Sequence, residues 1–189
     1  MTPEFITSSL DEKSGPTWQT ILQAEEASAW RQAAVIVPLI ARGSEWDLLF
    51  IRRTLTVSHH KGQIAFPGGR AEPHDASPLA TALREFQEEL GADPALLAIL
   101  GRLPPTPTLQ SGYLIHPFVG VLPHGTVLRP SPDEVAETLL VPLNFFLETL
   151  KLSPKIERFE YRGEVIWGAT ARVMTQWSVA LLTRSACAS

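Results

Sequence analysis

The sequence predicts an α/β or α+β sandwich, and three observations favour this fold class. Short apolar runs rich in Val and Ile are bounded by turn residues, which is typical of buried β-strands. A segment with strong signals at both ends predicts a helix over residues 78–90. The strands and helices do not alternate in the strict order that an all-parallel sheet requires, so a mixed arrangement is expected.

The first half of the chain supplies one helix and three strands before the capped helix. An apolar stripe made by Trp18, Ile21, Leu22 and Ala29 predicts the first helix. The turn at Gly43 separates the first two strands, and Pro67 ends the third. The predicted elements of this half are a helix at 18–31 and strands at 34–41, 46–53 and 63–66.

The second half is predicted to contain two pairs of strands, each followed by a helix. Two strands flank a proline-rich loop at 104–112, and a turn at Arg162 and Gly163 joins the two strands of a hairpin. The predicted elements are strands at 97–103 and 115–122, a short helix at 143–150, hairpin strands at 159–161 and 165–167, and a helix at 170–182.

Composition restricts the class of protein. The chain has 189 residues, 44% hydrophobic and 19% charged, with a formal net charge of −4, which argues against nucleic-acid and membrane partners. Cys187 is the only cysteine, so an internal disulfide is excluded and a reducing compartment is expected. We find no membrane-length apolar run and no signal pattern, so the expected location is cytoplasmic. Residues 1–17 are expected to be a flexible lead-in and residues 18–189 a single domain.

The helix at 78–90 separates apolar from acidic side chains. Ser77 is a good N-cap, Pro78 suits the first turn, and Gly91 is a good stop. A helical wheel places four apolar side chains in one stripe: Leu79, Leu83, Phe86 and Leu90. The nearly opposite face carries three carboxylates: Glu85, Glu88 and Glu89.

The three carboxylates repel one another, and a hard divalent cation such as Mg²⁺ would relieve that repulsion. The alternative is a solvated acidic helix face. What favours a site is the pair Gly68 and Gly69, which follows a strand just before the helix, because glycine lets the backbone approach a ligand closely.

This segment resembles the Nudix box, G-x5-E-x7-R-E-U-x-E-E-x-G-U, in which U is aliphatic. The matching residues are Gly69, Arg84, Glu85, Phe86 at the aliphatic position, Glu88, Glu89 and Gly91. Asp75 replaces the first Glu, one extra residue precedes Arg84, and Ala92 is a small residue at the last aliphatic position. The resemblance implies a Nudix α/β/α sandwich with a central mixed β-sheet between helices; for Asp75, capping the helix is an alternative role.

The preceding segment is similar to the signature of Nudix enzymes that cleave coenzyme A, L-L-T-x-x-R-[SA]-x3-R-x3-G-x3-F-P-G-G. The matching residues are Leu48, Leu49, Arg53, Gly62 and 66–69, whereas Ser58 stands where the signature has Arg. The resemblance implies a phosphate-binding region, for which the candidate substrate-binding residues are Arg52, Arg53, His60, Lys61, Gly68 and Gly69. A solvated basic loop is the alternative interpretation.

The likeness extends over about residues 33–182. Glu134 or Glu137 could add a late carboxylate to the metal site, although acidic residues after a proline turn are also common at helix starts. His116 lies in an apolar strand and is expected to be a core histidine.

The resemblance implies a hydrolase dependent on Mg²⁺ or Mn²⁺ that cleaves CoA or a CoA derivative to 3′,5′-ADP and 4′-phosphopantetheine. Its metal ligands would be Glu85, Glu88, Glu89 and Gly69, and its catalytic residues Glu85, Glu88 and Arg84. The alternatives are hydrolysis of ADP-ribose, NADH, a dinucleoside polyphosphate or a nucleoside triphosphate, and a non-catalytic nucleotide-binding module. The oligomeric state is left open, with a dimer as one option.

Overall fold

The computed structural model describes residues 1–11, 29–55, 61–108, 111–153, 156 and 158–187. In this part of the chain the helices are α1 (Pro3–Thr7), α2 (Pro78–Leu90), α3 (Leu143–Leu152) and α4 (Gly168–Cys187), with a 3₁₀ turn at Pro94–Leu96. The strands are β1 (Arg31–Arg42), β2 (Glu45–Arg53), β3 (Ile64–Ala65), β4 (Gly68–Arg70), β5 (Ala98–Arg102), β6 (Thr106–Thr108), β7 (Tyr113–Val121), β8 (Val135–Pro142), β9 (Arg158–Tyr161) and β10 (Glu164–Trp167).

The main sheet is mixed and is built around β1. The strand order is β3-β2-β1-β7-β5; in addition β4 pairs with β1, β6 with β7 and β8 with β2. β1 and β7 are parallel, with residues 31–39 paired to residues 113–121, and the other pairs of this sheet are antiparallel. The strands β9 and β10 form a separate antiparallel hairpin.

Both faces of the sheet are covered, because the central strands are apolar on both sides. Alternate residues of β2 enter different clusters: Leu48 and Phe50 pack on one face, whereas Leu49 and Ile51 pack on the other. The first cluster includes residues of α3, α4 and the hairpin, and the second includes residues of α2. The structure therefore confirms the predicted α/β/α sandwich with a central mixed sheet.

The first residues differ from the expected flexible lead-in. Within 1–17, residues 3–7 form α1, whose Ile6 is fully buried in the first cluster. The Trp177 indole N–H donates to the Ser9 hydroxyl at 3.1 Å, and the main chain of Asp11 bonds to that of Arg102. Apolar burial thus fixes residues whose sequence carries no long helical pattern; residues 12–17 lie outside the described ranges.

Three further predictions are corrected. Most of the helix predicted at 18–31 lies outside the described residues, and its last residue, Arg31, begins β1 instead. The predicted loop at 104–112 contains β6, which gains its hydrogen bonds from β7. The helix start considered near 133–137 is wrong, since β8 begins at Val135 and pairs with β2.

None of the helices in the described part of the chain is both long enough and apolar enough to cross a bilayer.

Candidate active site

The helix α2 is placed by local signals at both ends. The Ser77 hydroxyl accepts a hydrogen bond from the Ala80 N–H at 3.2 Å, and Pro78 occupies the first turn. Gly91, in the left-handed conformation, closes the helix by donating its N–H to the Gln87 carbonyl. Ser77 is therefore the N-cap, and Asp75 is not.

The core-facing side of α2 is narrower than the wheel predicts. Phe86 and Leu90 are fully buried, whereas Leu79 and Leu83 are only partly buried against the same cluster.

The three carboxylates of α2 differ in how far their side chains are exposed to solvent. The side chain of Glu88 is 54% exposed, that of Glu85 is 14% exposed, and that of Glu89 is 1% exposed.

The Glu89 carboxylate is buried beneath β4. Its Oε2 accepts a hydrogen bond from the Gly68 N–H at 2.8 Å, and its Oε1 lies 3.3 Å from Arg53 Nη2. Oε1 makes no hydrogen bond within the described residues. Burial raises the pKa of Glu89 to about 8, the nearby charges of Glu85 and Glu134 add to that rise, and Arg53 and the Gly68 N–H oppose it.

The two glycines of β4 are required by close contacts. Gly68 has a φ of 150°, and a Cβ there would lie 2.4 Å from the Ala34 carbonyl oxygen of β1. A Cβ on Gly69 would lie 2.4 Å from the Glu85 carboxylate carbon. The absence of side chains thus lets β4 pass between β1 and α2, with the Glu85 carboxylate directly over the Gly69 backbone.

Arg84 organises the acidic side chains around it. Its Nη1 lies 2.9 Å from both Glu85 Oε1 and Glu88 Oε2, and its Nη2 donates to the Arg70 carbonyl at 3.0 Å. Both Nε and Nη2 donate to Asp75 at 3.0 Å. Arg84 therefore forms ion pairs with Asp75, Glu85 and Glu88 at the same time.

Asp75 anchors Arg84, a role that sequence reasoning left undecided. Besides Arg84, its Oδ2 accepts hydrogen bonds from the Glu72 N–H and the Thr81 hydroxyl. Burial alone would raise the pKa of Asp75, but the hydrogen bonds from Arg84, the Glu72 N–H and Thr81 outweigh burial and lower the pKa to about 2. Asp75 is therefore a fixed anion that holds the guanidinium in place.

Glu134 is the late carboxylate that faces the acidic helix. It lies in the turn before β8, and its charge helps to raise the pKa values of both Glu85 and Glu89, although burial is the larger cause for each. Glu137 is elsewhere, because its Oε1 lies 2.5 Å from Arg52 Nε across the β2–β8 pair. Of the two candidates, the structure brings only Glu134 to the acidic helix.

Of the predicted basic residues, only some lie near the acidic helix. Arg52 is held by Glu137 and by Glu164 of the hairpin, whereas Arg53 donates to the Gly68 carbonyl at 2.9 Å and faces Glu89. Lys61 is exposed in a turn, and His60 lies outside the described residues. Substrate contacts by these four residues stay predictions.

The donor atoms of this region suit a divalent cation. Glu89 Oε1 lies 3.3 Å from Arg53 Nη2 but accepts no hydrogen bond among the described residues, and burial raises the pKa of both Glu85 and Glu89, so both carboxyls have capacity for a further cation. No three of the described His, Cys, Asp and Glu side chains converge closely enough to enclose a metal by themselves. Carboxylate oxygens in small number, completed by water and phosphate oxygens, are nevertheless the usual ligands of Mg²⁺, so the donor chemistry fits.

The sequence of the chain matches a family model and several curated proteins. A family model described as "NUDIX domain" matches residues 30–159. A Photorhabdus laumondii protein is 40% identical over 77% of this chain and 82% of its own, and a Pectobacterium atrosepticum protein is 38% identical over 82% and 84%. An Escherichia coli K12 protein is 34% identical over 77% and 80%. All three are described as "Uncharacterized Nudix hydrolase NudL".

Solved structures share the fold. A Caenorhabditis elegans Ap4A hydrolase in a binary complex superposes with a TM-score of 0.56 at 15% identity, over 81% of this chain and 98% of that one. The NUDIX domain of Shewanella oneidensis NrtR, solved with ADP ribose, gives 0.55 at 14% identity, over 91% and 99%. At these identities the likeness concerns the fold alone.

Proposed function

Because this chain belongs to the Nudix family of hydrolases, which act on phosphorus anhydrides, we propose that it is a metal-dependent pyrophosphohydrolase of coenzyme A or a CoA derivative. The observation that carries the chemistry is the pairing of Glu85 and Glu89 against the Gly68–Gly69 backbone, with the buried Glu89 Oε1 left without a hydrogen bond among the described residues. The signature from Leu48 to Gly69 supports CoA as the substrate.

Glu85 and Glu89, with the Gly69 carbonyl, would hold the cation, and Mg²⁺ or Mn²⁺ is the expected ion. A cation bound there would supply positive charge against the diphosphate and would lower the pKa of a water molecule. Glu88 is the most exposed carboxylate of α2. Family members generally use divalent ions, and two to three carboxylates agree with that use.

The protein's own groups position the reaction. Arg84, fixed by Asp75, holds Glu85 and Glu88 in a defined orientation. The charge of Glu134 acts on both Glu85 and Glu89, and Glu134 is the candidate proton acceptor. Water attacks one phosphorus, the anhydride P–O bond breaks, and the products are 3′,5′-ADP and 4′-phosphopantetheine.

The experiment is product identification by mass after incubation with Mg²⁺ or Mn²⁺. CoA, ADP-ribose, NADH, a dinucleoside polyphosphate and ATP are compared at equal concentration. We expect 3′,5′-ADP and phosphopantetheine to form well ahead of the other products. Glu85→Gln must lose the activity, and Glu148→Gln on α3, where Glu148 pairs with Lys151 at the surface, must keep it.

A second candidate is hydrolysis of another nucleoside diphosphate derivative, which Ser58 favours because it stands at an arginine position of the CoA signature. Cleavage of ADP-ribose or NADH without cleavage of CoA would select that candidate. Nucleotide binding without turnover in any assay would instead indicate a non-catalytic module.

A further inference from the structure

A cleft of about 600 Å³ lies beside the acidic helix, where β1, β4 and β7 share one end of the sheet. Its walls combine aromatic, basic and acidic side chains: Trp30, Arg31, Arg70, Glu72, Asp75 and Tyr113. That volume is within the usual range for small-molecule sites.

Two arginines on one face of the sheet indicate that the cleft binds an anion. Ala33 of β1 pairs with Arg70 of β4, and Arg31 lies two residues before Ala33, so the side chains of Arg31 and Arg70 share a face. Both are exposed, and neither forms an ion pair with any carboxylate that the structure describes. In contrast, Arg52, Arg53 and Arg84 are each held by carboxylates.

Aromatic rings stand beside these arginines. Tyr113 pairs directly with Arg31, and the Arg31 guanidinium lies 5.7 Å from the centre of the Tyr113 ring. Trp30 precedes Arg31, and its carbonyl accepts a hydrogen bond from the Gln32 side chain at 2.9 Å. Rings and guanidinium planes are the groups on which proteins stack nucleobases.

The cleft is physically joined to the catalytic region. The Arg70 carbonyl accepts a hydrogen bond from Arg84, and the neighbouring residue, Gly69, lies against the Glu85 carboxylate. Asp75 both lines the cleft and anchors Arg84. A ligand here would therefore lie next to a diphosphate held by α2.

We propose that this cleft binds the nucleoside 3′-phosphate end of the substrate, with Arg31 and Arg70 on the phosphate and Tyr113 and Trp30 against the base. The inference rests on the proposed function. In CoA one ribose carries both the 3′-phosphate and the 5′-diphosphate, so their two binding regions must be neighbours. Arg31 and Arg70 supply the cations that the internally paired Arg52 cannot.

Steady-state kinetics with CoA and with 3′-dephospho-CoA separates this role from general damage. We expect Arg31→Gln and Arg70→Gln each to raise KM for CoA roughly 10-fold, as expected for loss of a charge-assisted phosphate contact. The KM for dephospho-CoA and both kcat values should change less than about 2-fold. Arg70→Lys should recover part of the loss, because the positive charge returns.

Glu72 and Arg184 supply the controls. The Glu72 carboxylate lines the cleft and would repel a phosphate, so Glu72→Gln should lower KM for CoA and not for dephospho-CoA. Arg184 is exposed on α4, away from the cleft, and Arg184→Gln should leave both KM values unchanged. Thermal melting confirms that each variant is folded.

Calorimetric titration with 3′,5′-ADP and with 5′-AMP gives a readout that needs no turnover. We expect 3′,5′-ADP to bind more tightly, and Arg31→Gln and Arg70→Gln to remove the difference. Equal losses for both nucleotides, or no loss for either, would overturn the proposal. If CoA is not cleaved but the arginine-dependent preference for 3′,5′-ADP persists, the cleft assignment stands and the proposed substrate fails. If CoA is cleaved without that preference, the proposed substrate stands and the cleft assignment fails.

Discussion

The two faces of the sheet bury different kinds of side chain. Against α3, α4 and the hairpin, the core is aromatic and aliphatic, with the Phe146 ring in contact with the rings of both Phe50 and Phe159. On the α2 face, Glu89 is buried, and His116 is buried beside the strand position of Ala34. Apolar burial stabilises the fold on the first face, whereas on the second face ionisable groups are held in a low-dielectric environment, which is typical of functional regions.

The largest effect is expected from the apolar face. Phe146→Ala removes a fully buried ring that contacts Phe50, Phe145 and Phe159 and should lower the free energy of unfolding by about 3–5 kcal/mol. Denaturant unfolding measures the loss. The kcat of the protein that remains folded should be unchanged, and a large fall in kcat would show that the two faces are not separable.

The complementary change on the α2 face is Glu89→Gln. The amide oxygen can still accept from the Gly68 N–H, but the charge is lost, so turnover should fall roughly 100- to 1000-fold. Near pH 7 the free energy of unfolding of the metal-free protein should change by less than about 1 kcal/mol, because burial raises the pKa of Glu89 to about 8 and the amide replaces a mostly protonated carboxyl. Retained turnover would refute the metal-ligand role of Glu89.

Buried His116 on the α2 face should make the free energy of unfolding depend on pH. Burial, followed by the nearby Arg102 charge, lowers its pKa to about 4, so the folded protein keeps this imidazole neutral down to that pH. The unfolded chain takes up the proton below about pH 6.5, so stability is full above that pH and falls as the pH drops toward 4. Between pH 7 and pH 5 the loss should be about 2 kcal/mol.

Urea unfolding at the two pH values measures this difference. His116→Gln should remove it, whereas His124→Gln, at an exposed loop position, should retain it. An unchanged pH dependence in His116→Gln would assign acid sensitivity to other groups.

The smallest effect concerns the helix cap. Ser77→Ala removes the hydroxyl that accepts from the Ala80 N–H and should cost about 1 kcal/mol in unfolding free energy. Ser77→Asp should restore most of it. Because α2 carries the acidic groups, we also expect a modest fall in metal affinity for Ser77→Ala; unaltered stability would show that tertiary packing alone fixes this end of α2.

Local patterns predicted the parts of the fold that depend on neighbours in sequence. Ser77, Pro78 and Gly91 bracket α2 as expected, and the apolar runs mark β1 and β2. The strands β4, β6 and β8 were missed, because their short or proline-containing sequences become strands only by pairing with distant partners.

The contacts of the candidate site were also not predicted, because they join residues that are distant in sequence. A helical wheel placed Glu89 on the face away from the core, but the Gly68 N–H and Arg53, both distant in sequence, receive it in the interior. Arg53 matches an arginine position of the coenzyme A signature and Arg52 stands beside it, yet their partners Glu89 and Glu164 are set by tertiary structure. The cleft with Arg31 and Arg70 has no sequence signal, because three strands form it together.

The central position of β1 also governs how the chain can fold as it is synthesised. Its hairpin with β2 is local, but its parallel register with β7 joins Arg31 to Tyr113, more than 80 residues later. Loop closure over that distance is entropically expensive and slow compared with hairpin formation. A nascent chain therefore exposes one edge of β1 until β7 has left the ribosome, which makes this interval the period of greatest exposure to aggregation and the one in which chaperone binding would matter most.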